Sequence, residues 1–171
     1  MAKKKFNISP ILALLAIVCG VVSICMMFVK SVNVVGYLKT EYPYSGLQAT
    51  FGYTAEDAKV SQLNFSFMNL LPYILLVVAI VLAVMIVLKK SNNKLLSFVI
   101  CGLLVASGIL FFCEGAFTVL GDFFDNTITG GIGAVTGAEI TVELATGAIV
   151  AAISSLVGGA LMLVSVFTKS K

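Results

Sequence analysis

Residues 68–113 read MNLLPYILLVVAIVLAVMIVLKKSNNKLLSFVICGLLVASGILFFC. Within them, 68–88 and 95–113 are charge-free runs of 21 and 19 residues, separated only by Lys89, Lys90, Ser91, Asn92, Asn93 and Lys94. At about 1.5 Å of rise per residue, each run makes a helix of roughly 30 Å, the thickness of the hydrocarbon core of a bilayer. The connector, 89–94, leaves room only for a tight turn, so the two runs predict an antiparallel helical hairpin across a membrane.

Working outward, the same test picks out 8–29 and 144–167, charge-free over 22 and 24 residues. In hydrocarbon every backbone polar group needs an internal partner, which makes these segments helices. The first follows a lysine run, as the core of a signal peptide does. Such a core is usually about 7–15 residues and ends at a small-x-small site, which the stretch around Met26 and Phe28 lacks. Val18 likewise stands where a lipoprotein site at Cys19 needs a small residue, and Pro10 is accommodated in a first turn. The expected fold class is an all-α membrane protein: an antiparallel bundle of four transmembrane helices forming a single membrane domain over 1–171. With 60% of residues hydrophobic and 11% charged, the chain has too little polar surface to cover a soluble globule.

The lysines set the orientation. Lys3, Lys4, Lys5, Lys89, Lys90, Lys94, Lys169 and Lys171 fall on one side with no acidic residue among them, which makes that side cytoplasmic. The opposite loops hold Lys30, Lys39 and Lys59 with all the acids: Glu41, Glu56, Asp57, Glu114, Asp122, Asp125, Glu139 and Glu143. Both termini and the 89–94 loop are therefore expected in the cytoplasm of a plasma-membrane, multi-pass protein. The lysine-only basic set suits a bacterial chain.

The first outer loop, 30–67, changes from helical to alternating periodicity. Leu47, Ala49, Phe51 and Tyr53 alternate with Gln48, Thr50 and Gly52, and Leu63, Phe65 and Phe67 with Asn64 and Ser66. Two strands follow, and valine-rich 32–38 supplies a third ahead of a break at Pro43, Ser45 and Gly46. The expectation is a small antiparallel β-sheet contained in this loop. Tyr37, Tyr42, Tyr44, Phe51 and Tyr53 make its aromatic face, either an interfacial anchor or a surface for a protein or lipid partner. The second outer loop, 114–143, carries Phe117, Phe123 and Phe124 and then turns Gly-rich at Gly130, Gly131, Gly133 and Gly137, lying partly in the interface. Residues 129–137 lack the βαβ setting of a nucleotide loop.

Chemistry is limited by the inventory. There is no histidine, arginine or tryptophan, so imidazole catalysis and His-ligated metals lose their usual residues. No Asp, Glu, Lys, Arg or His lies inside any of the expected spans, which leaves proton relays and intramembrane hydrolases without candidate groups. No cofactor, metal or nucleic acid is expected. Asp122, Asp125 and Asn126 place three oxygen donors close together but without EF-hand spacing. Cys19, Cys25, Cys101 and Cys113 sit in or at the edge of apolar runs and read as buried thiols, with a Cys25–Cys113 bridge as the alternative. The serines Ser23, Ser107, Ser154, Ser155 and Ser165 read as hydrogen-bond donors to backbone or neighbouring helices. Gly147, Ala151, Ser155 and Gly159 recur at four-residue spacing and predict a close-packing face. Ala16 with Gly20, Ala79 with Ala83, and Gly102 with Ala106 offer matching surfaces, within one bundle, in a homo-oligomer or against another membrane protein.

Four spans, a strand-forming first outer loop, a short cytoplasmic hairpin and a smaller second outer loop resemble the layout of claudin-like tetraspan proteins. That family's Gly-Leu-Trp signature and paired loop cysteines have no motif match here. Gly46 and Leu47 are followed by Gln48, and the loop has neither cysteine nor tryptophan. No function or site is carried over. The expected function is a non-catalytic integral protein that presents an outer-loop sheet to a protein or lipid partner. The alternative is a small transporter, channel or exporter subunit with a path lined by serine, threonine and glycine.

Overall fold

The computed structural model describes residues 8–36, 39–55, 60–89, 93–124 and 140–168. Helix α1 spans Ser9–Cys25 and tightens into a 3₁₀ turn at Met26–Phe28. Strands β1 (Lys30–Val35) and β2 (Glu41–Ser45), helix α2 (Gly46–Phe51) and the short strand β3 (Leu63–Asn64) follow. Helices α3 (Phe67–Lys89) and α4 (Lys94–Phe112) form the hairpin. Then come α5 (Glu114–Phe117), β4 (Val119–Leu120), β5 (Thr141–Leu144) and α6 (Thr146–Thr168).

Four helices, α1 with its 3₁₀ turn, α3, α4 and α6, are long and apolar enough to cross a membrane. Helix α1 packs on α3 and α6, and α4 packs on the same two neighbours. Many side chains at these contacts are small or hydroxylated: Ala13, Ala16, Gly20 and Ser23 on α1, Ala79 and Ala83 on α3, and Ala151, Ala152, Ser155, Gly158 and Gly159 on α6, packed with larger buried groups such as Leu76, Ile86, Ile100, Leu104, Phe111 and Met162. Larger aliphatics face outward, among them Val18, Val77, Val81, Ile109, Ile153 and Val157. Small residues at the contacts let the helix backbones approach closely, which is how helices gain from packing in lipid. Hydroxyls add cross-links: Ser107 Oγ donates to the Pro72 carbonyl (2.9 Å), and the Ser9 and Ser165 hydroxyls meet at 3.2 Å, which brings the start of α1 to the end of α6. Proline at 72 leaves α3 unbroken.

The opposite helix ends carry a cap, and here several expectations are corrected. A three-stranded antiparallel sheet is present in the order β2-β1-β5, so its third strand comes from the second loop and the sheet is not confined to the first. Val32 lies opposite Tyr44 on one side and Leu144 on the other, and Val34 opposite Tyr42 and Val142. The expected strand across 47–53 is instead α2, closed by Ser45 and Gln48 in a capping box: Gln48 N–H donates to Ser45 Oγ (3.3 Å) and Ser45 N–H to Gln48 Oε1 (2.9 Å). The expected break at Pro43 and Ser45 is the edge strand β2, where a residue without N–H is tolerated. The strand expected over 63–67 shrinks to β3, which pairs with β4 of the second loop, and Phe67 already opens α3. Leu144, expected to begin the last span, ends β5 instead.

Beneath the sheet a second core gathers Val32, Val34, Tyr44, Ala49, Leu63 and Phe124, flanked by Tyr42, Phe123 and Val142. Gly52, at φ +87°, turns the chain out of α2 where a side chain would strike the Leu63 carbonyl, so only glycine is comfortable there.

Candidate functional site

The cap and the helices meet at a buried polar junction. Helix α4 stops at Phe112 because Cys113 leaves helical geometry (φ −95°, ψ 0°), and the chain restarts with Glu114 as the first residue of α5. That restart turns Glu114 inward, to 1% exposure. Ser31 Oγ, from the second residue of β1, donates to Glu114 Oε2 at 2.7 Å, while Oε1 has no partner among the described residues. Burial pushes the carboxyl up to about 7, against the lowering effect of the Ser31 hydrogen bond. Burying a lone carboxylate costs more than keeping its proton, so Glu114 sits between its neutral and charged forms near neutral pH.

Asn69, in the first turn of α3 and 1% exposed, ties both loops to the helices. Its Nδ2 donates to the Ala49 carbonyl on α2 and to Thr118 Oγ1 beyond α5, each at 3.1 Å. Thr118 Oγ1 in turn donates to the Glu114 carbonyl (2.8 Å), and Ser66 Oγ donates to the Phe117 carbonyl (2.6 Å). Tyr73 packs edge-on against Phe111 with centroids 4.9 Å apart, and its hydroxyl lies against Gly46, where a side chain has no room. Three buried oxygens have no partner among the described residues: Glu114 Oε1, Asn69 Oδ1 and Thr50 Oγ1. The junction can therefore hold or release one proton at Glu114 and accept further hydrogen bonds.

The small-residue face of α6 divides its contacts. Gly147 presses on the Lys30 carbonyl, and the Ala151 carbonyl accepts from Ser23 Oγ of α1 (3.0 Å). Ser155 Oγ donates to the Leu104 carbonyl of α4 (2.9 Å), and Gly159 lies against Val105 of α4. Four-residue spacing advances a stripe by about 40° per step on a 3.6-residue helix, so over these positions the face rotates from α1 to α4. Gly102 and Ala106 point outward, and a side chain at 102 would meet open space.

The aromatic residues separate too. Tyr44 is 3% exposed, with its hydroxyl donating to Gln62 Oε1 (3.0 Å), and burial with neighbouring Tyr42 and Tyr53 pushes that hydroxyl up to about 12. Tyr42 stands edge-on to Phe124 at 5.6 Å, and Tyr53 is half-buried beside Tyr44. Phe51 is exposed and lies 6.4 Å from exposed Phe65; Phe28, Leu47 and Phe67 are exposed at the same end of the helices. Tyr37, Asp125, Asn126 and residues 129–137 lie outside the described residues, and Asp122 is exposed. Cys19, Cys25, Cys101 and Cys113 are free thiols.

Comparison with known proteins gives no match among family models, curated proteins or solved structures. Sequence reasoning passed over Ser31, Asn69 and Thr118 and treated Glu114 as a loop acid. The available signal was position: Asn69 is the first amide inside an otherwise apolar run, and Glu114 abuts another.

Proposed function

We propose that the chain is a non-catalytic integral protein of the plasma membrane, an antiparallel four-helix bundle of claudin-like layout that presents its sheet-bearing cap to a protein or lipid partner. The lysine distribution supports an orientation with both termini and the 89–94 loop in the cytoplasm, and the lysine-only basic set suits a bacterial chain. The observation that carries the reading is the junction: strands from both loops share one sheet, Glu114 holds β1 of that sheet through Ser31, and Asn69 ties α2 and Thr118 to the start of α3. A preorganised platform of this kind loses little entropy when a partner binds. Crosslinking in membranes followed by affinity purification tests it, with a defined partner or a homo-oligomer expected. A protein that stays monomeric and captures neither protein nor lipid contradicts the proposal.

A second reading, a small transporter, channel or exporter subunit, draws on Glu114 alone, because a buried carboxyl at the helix ends that changes protonation near neutral pH is the kind of group that couples to a moving ion. Proteoliposomes whose flux matches empty vesicles across the neutral range would remove it.

A further inference from the structure

Where the outer face of the sheet leans over the start of α6 there is a hollow of about 460 Å³, bordered by Lys30, Asn33, Glu41, Leu144, Thr146 and Ile149. It holds opposite charges that are not in an ion pair with each other among the described residues. Lys30 and Glu41 are both exposed, and Asn33 Nδ2 on the sheet's central strand β1 donates to Glu41 Oε2 at 3.4 Å. The rest of the lining is mostly apolar, with Pro43, Leu144, Ala145 and Ile149.

Ile149 also begins a track. Ile153 and Val157 follow at four-residue spacing on the same side of α6, with exposures of 39%, 52% and 48% for the three in turn. A polar, two-signed hollow that meets a row of exposed apolar side chains on a long apolar helix matches the layout of one molecule, a headgroup with an acyl chain.

We propose that this hollow binds a phospholipid bearing a primary ammonium, of the phosphatidylethanolamine class, with its phosphate on Lys30, its ammonium on Glu41 and Asn33, and an acyl chain along Ile149, Ile153 and Val157. The N-terminal end of α6 at Thr146 adds a favourable field for the phosphate. An anionic headgroup without an amine leaves Glu41 facing the phosphate's own charge. A choline headgroup offers the carboxylate no N–H donor. The pairing of charges therefore selects the amine. The proposal rests on the membrane-embedded reading of the four helices.

Native mass spectrometry of the full chain, released from micelles containing equal amounts of phosphatidylethanolamine, phosphatidylglycerol and phosphatidylcholine, tests it. One ethanolamine lipid is expected to stay bound, at about tenfold preference over either competitor. Lys30→Gln should abolish retention of all three, Glu41→Gln should erase the preference, and Ile153→Asn should weaken binding without changing its order. Free phosphoethanolamine should not displace the lipid; displacement would show a headgroup site with no acyl track and overturn the assignment. Equal retention of the three lipids by the unaltered chain, or an unchanged preference in Glu41→Gln, overturns it as well. Alkaline carbonate extraction separates the underlying reading: a chain that washes out of membranes is not embedded in them, whereas one that stays but shows no ethanolamine preference refutes the headgroup site alone.

Discussion

At the scale of single residues, Glu114 has the most consequential placement. Its carboxyl is raised from an ordinary 4.5 to about 7 by burial. Between those values the folded cap binds more protons than the opened one, so the share of cap stability that depends on protonated Glu114 is fully present below pH 4.5, falls as pH rises, and is gone once the pH passes about 7. Glu114→Gln keeps an acceptor for Ser31 and removes the titration. Hydrogen exchange of cap amides across this range should show protection declining with pH in the native protein and nearly flat in the variant. Gly52 gives a second test. Its φ of +87° and the Leu63 carbonyl, 2.8 Å from where a Cβ would stand, make Gly52→Ala costly by about 1–3 kcal/mol, measurable as earlier thermal loss of the cap signal. Neither role could be read from the residue alone. A glutamate one position past an apolar run looks the same whether it turns out to solvent or in beneath a sheet, and Ser31 decides which only once β1 has been laid over it.

Among elements, α2 shows how two patterns in the same residues compete. Leu47, Ala49, Phe51 and Tyr53 alternate as a strand does, yet the buried set is Gly46, Ala49 and Thr50, spaced as on a helix. The deciding signal lay just upstream, in Ser45 and Gln48, whose reciprocal hydrogen bonds nucleate a turn that the alternation has nothing to oppose. Ser45→Ala should destabilise the cap by about 1 kcal/mol, read as lower protection of the amides of α2 with the four long helices unaffected. On α6, Gly159→Leu must find room against Val105 Cγ2, only 2.8 Å from the position of a Cβ. The expected cost is about 1–3 kcal/mol, seen as a lower midpoint in detergent-titrated unfolding, while the same change at outward-facing Gly102 should be nearly neutral. The small-residue spacing on α6 was visible in the sequence. That it serves α1 at one end and α4 at the other depends on where those helices stand.

For the whole molecule, the pairing of β1 with β5 joins the two loops into one cap. In a background without the native cysteines, Asn33→Cys with Glu143→Cys should oxidise readily to a disulfide, since the two are direct antiparallel partners. Asn33→Cys with Val142→Cys should not, because a one-residue slip points the side chains to opposite faces. Peptide mapping distinguishes the two outcomes. The four long helices were legible from sequence because a continuous apolar run of sufficient length is a local property, and its length and composition do not depend on what it packs against. The lysine asymmetry is local in the same sense. Only the tertiary structure decided that Leu144 ends a strand beside Val32, that β3 pairs with β4, and that Glu114 is enclosed. Those outcomes arise from backbone pairing and burial between segments far apart in the chain. The energy that selects them exists only after the helices have brought both loops to the same end.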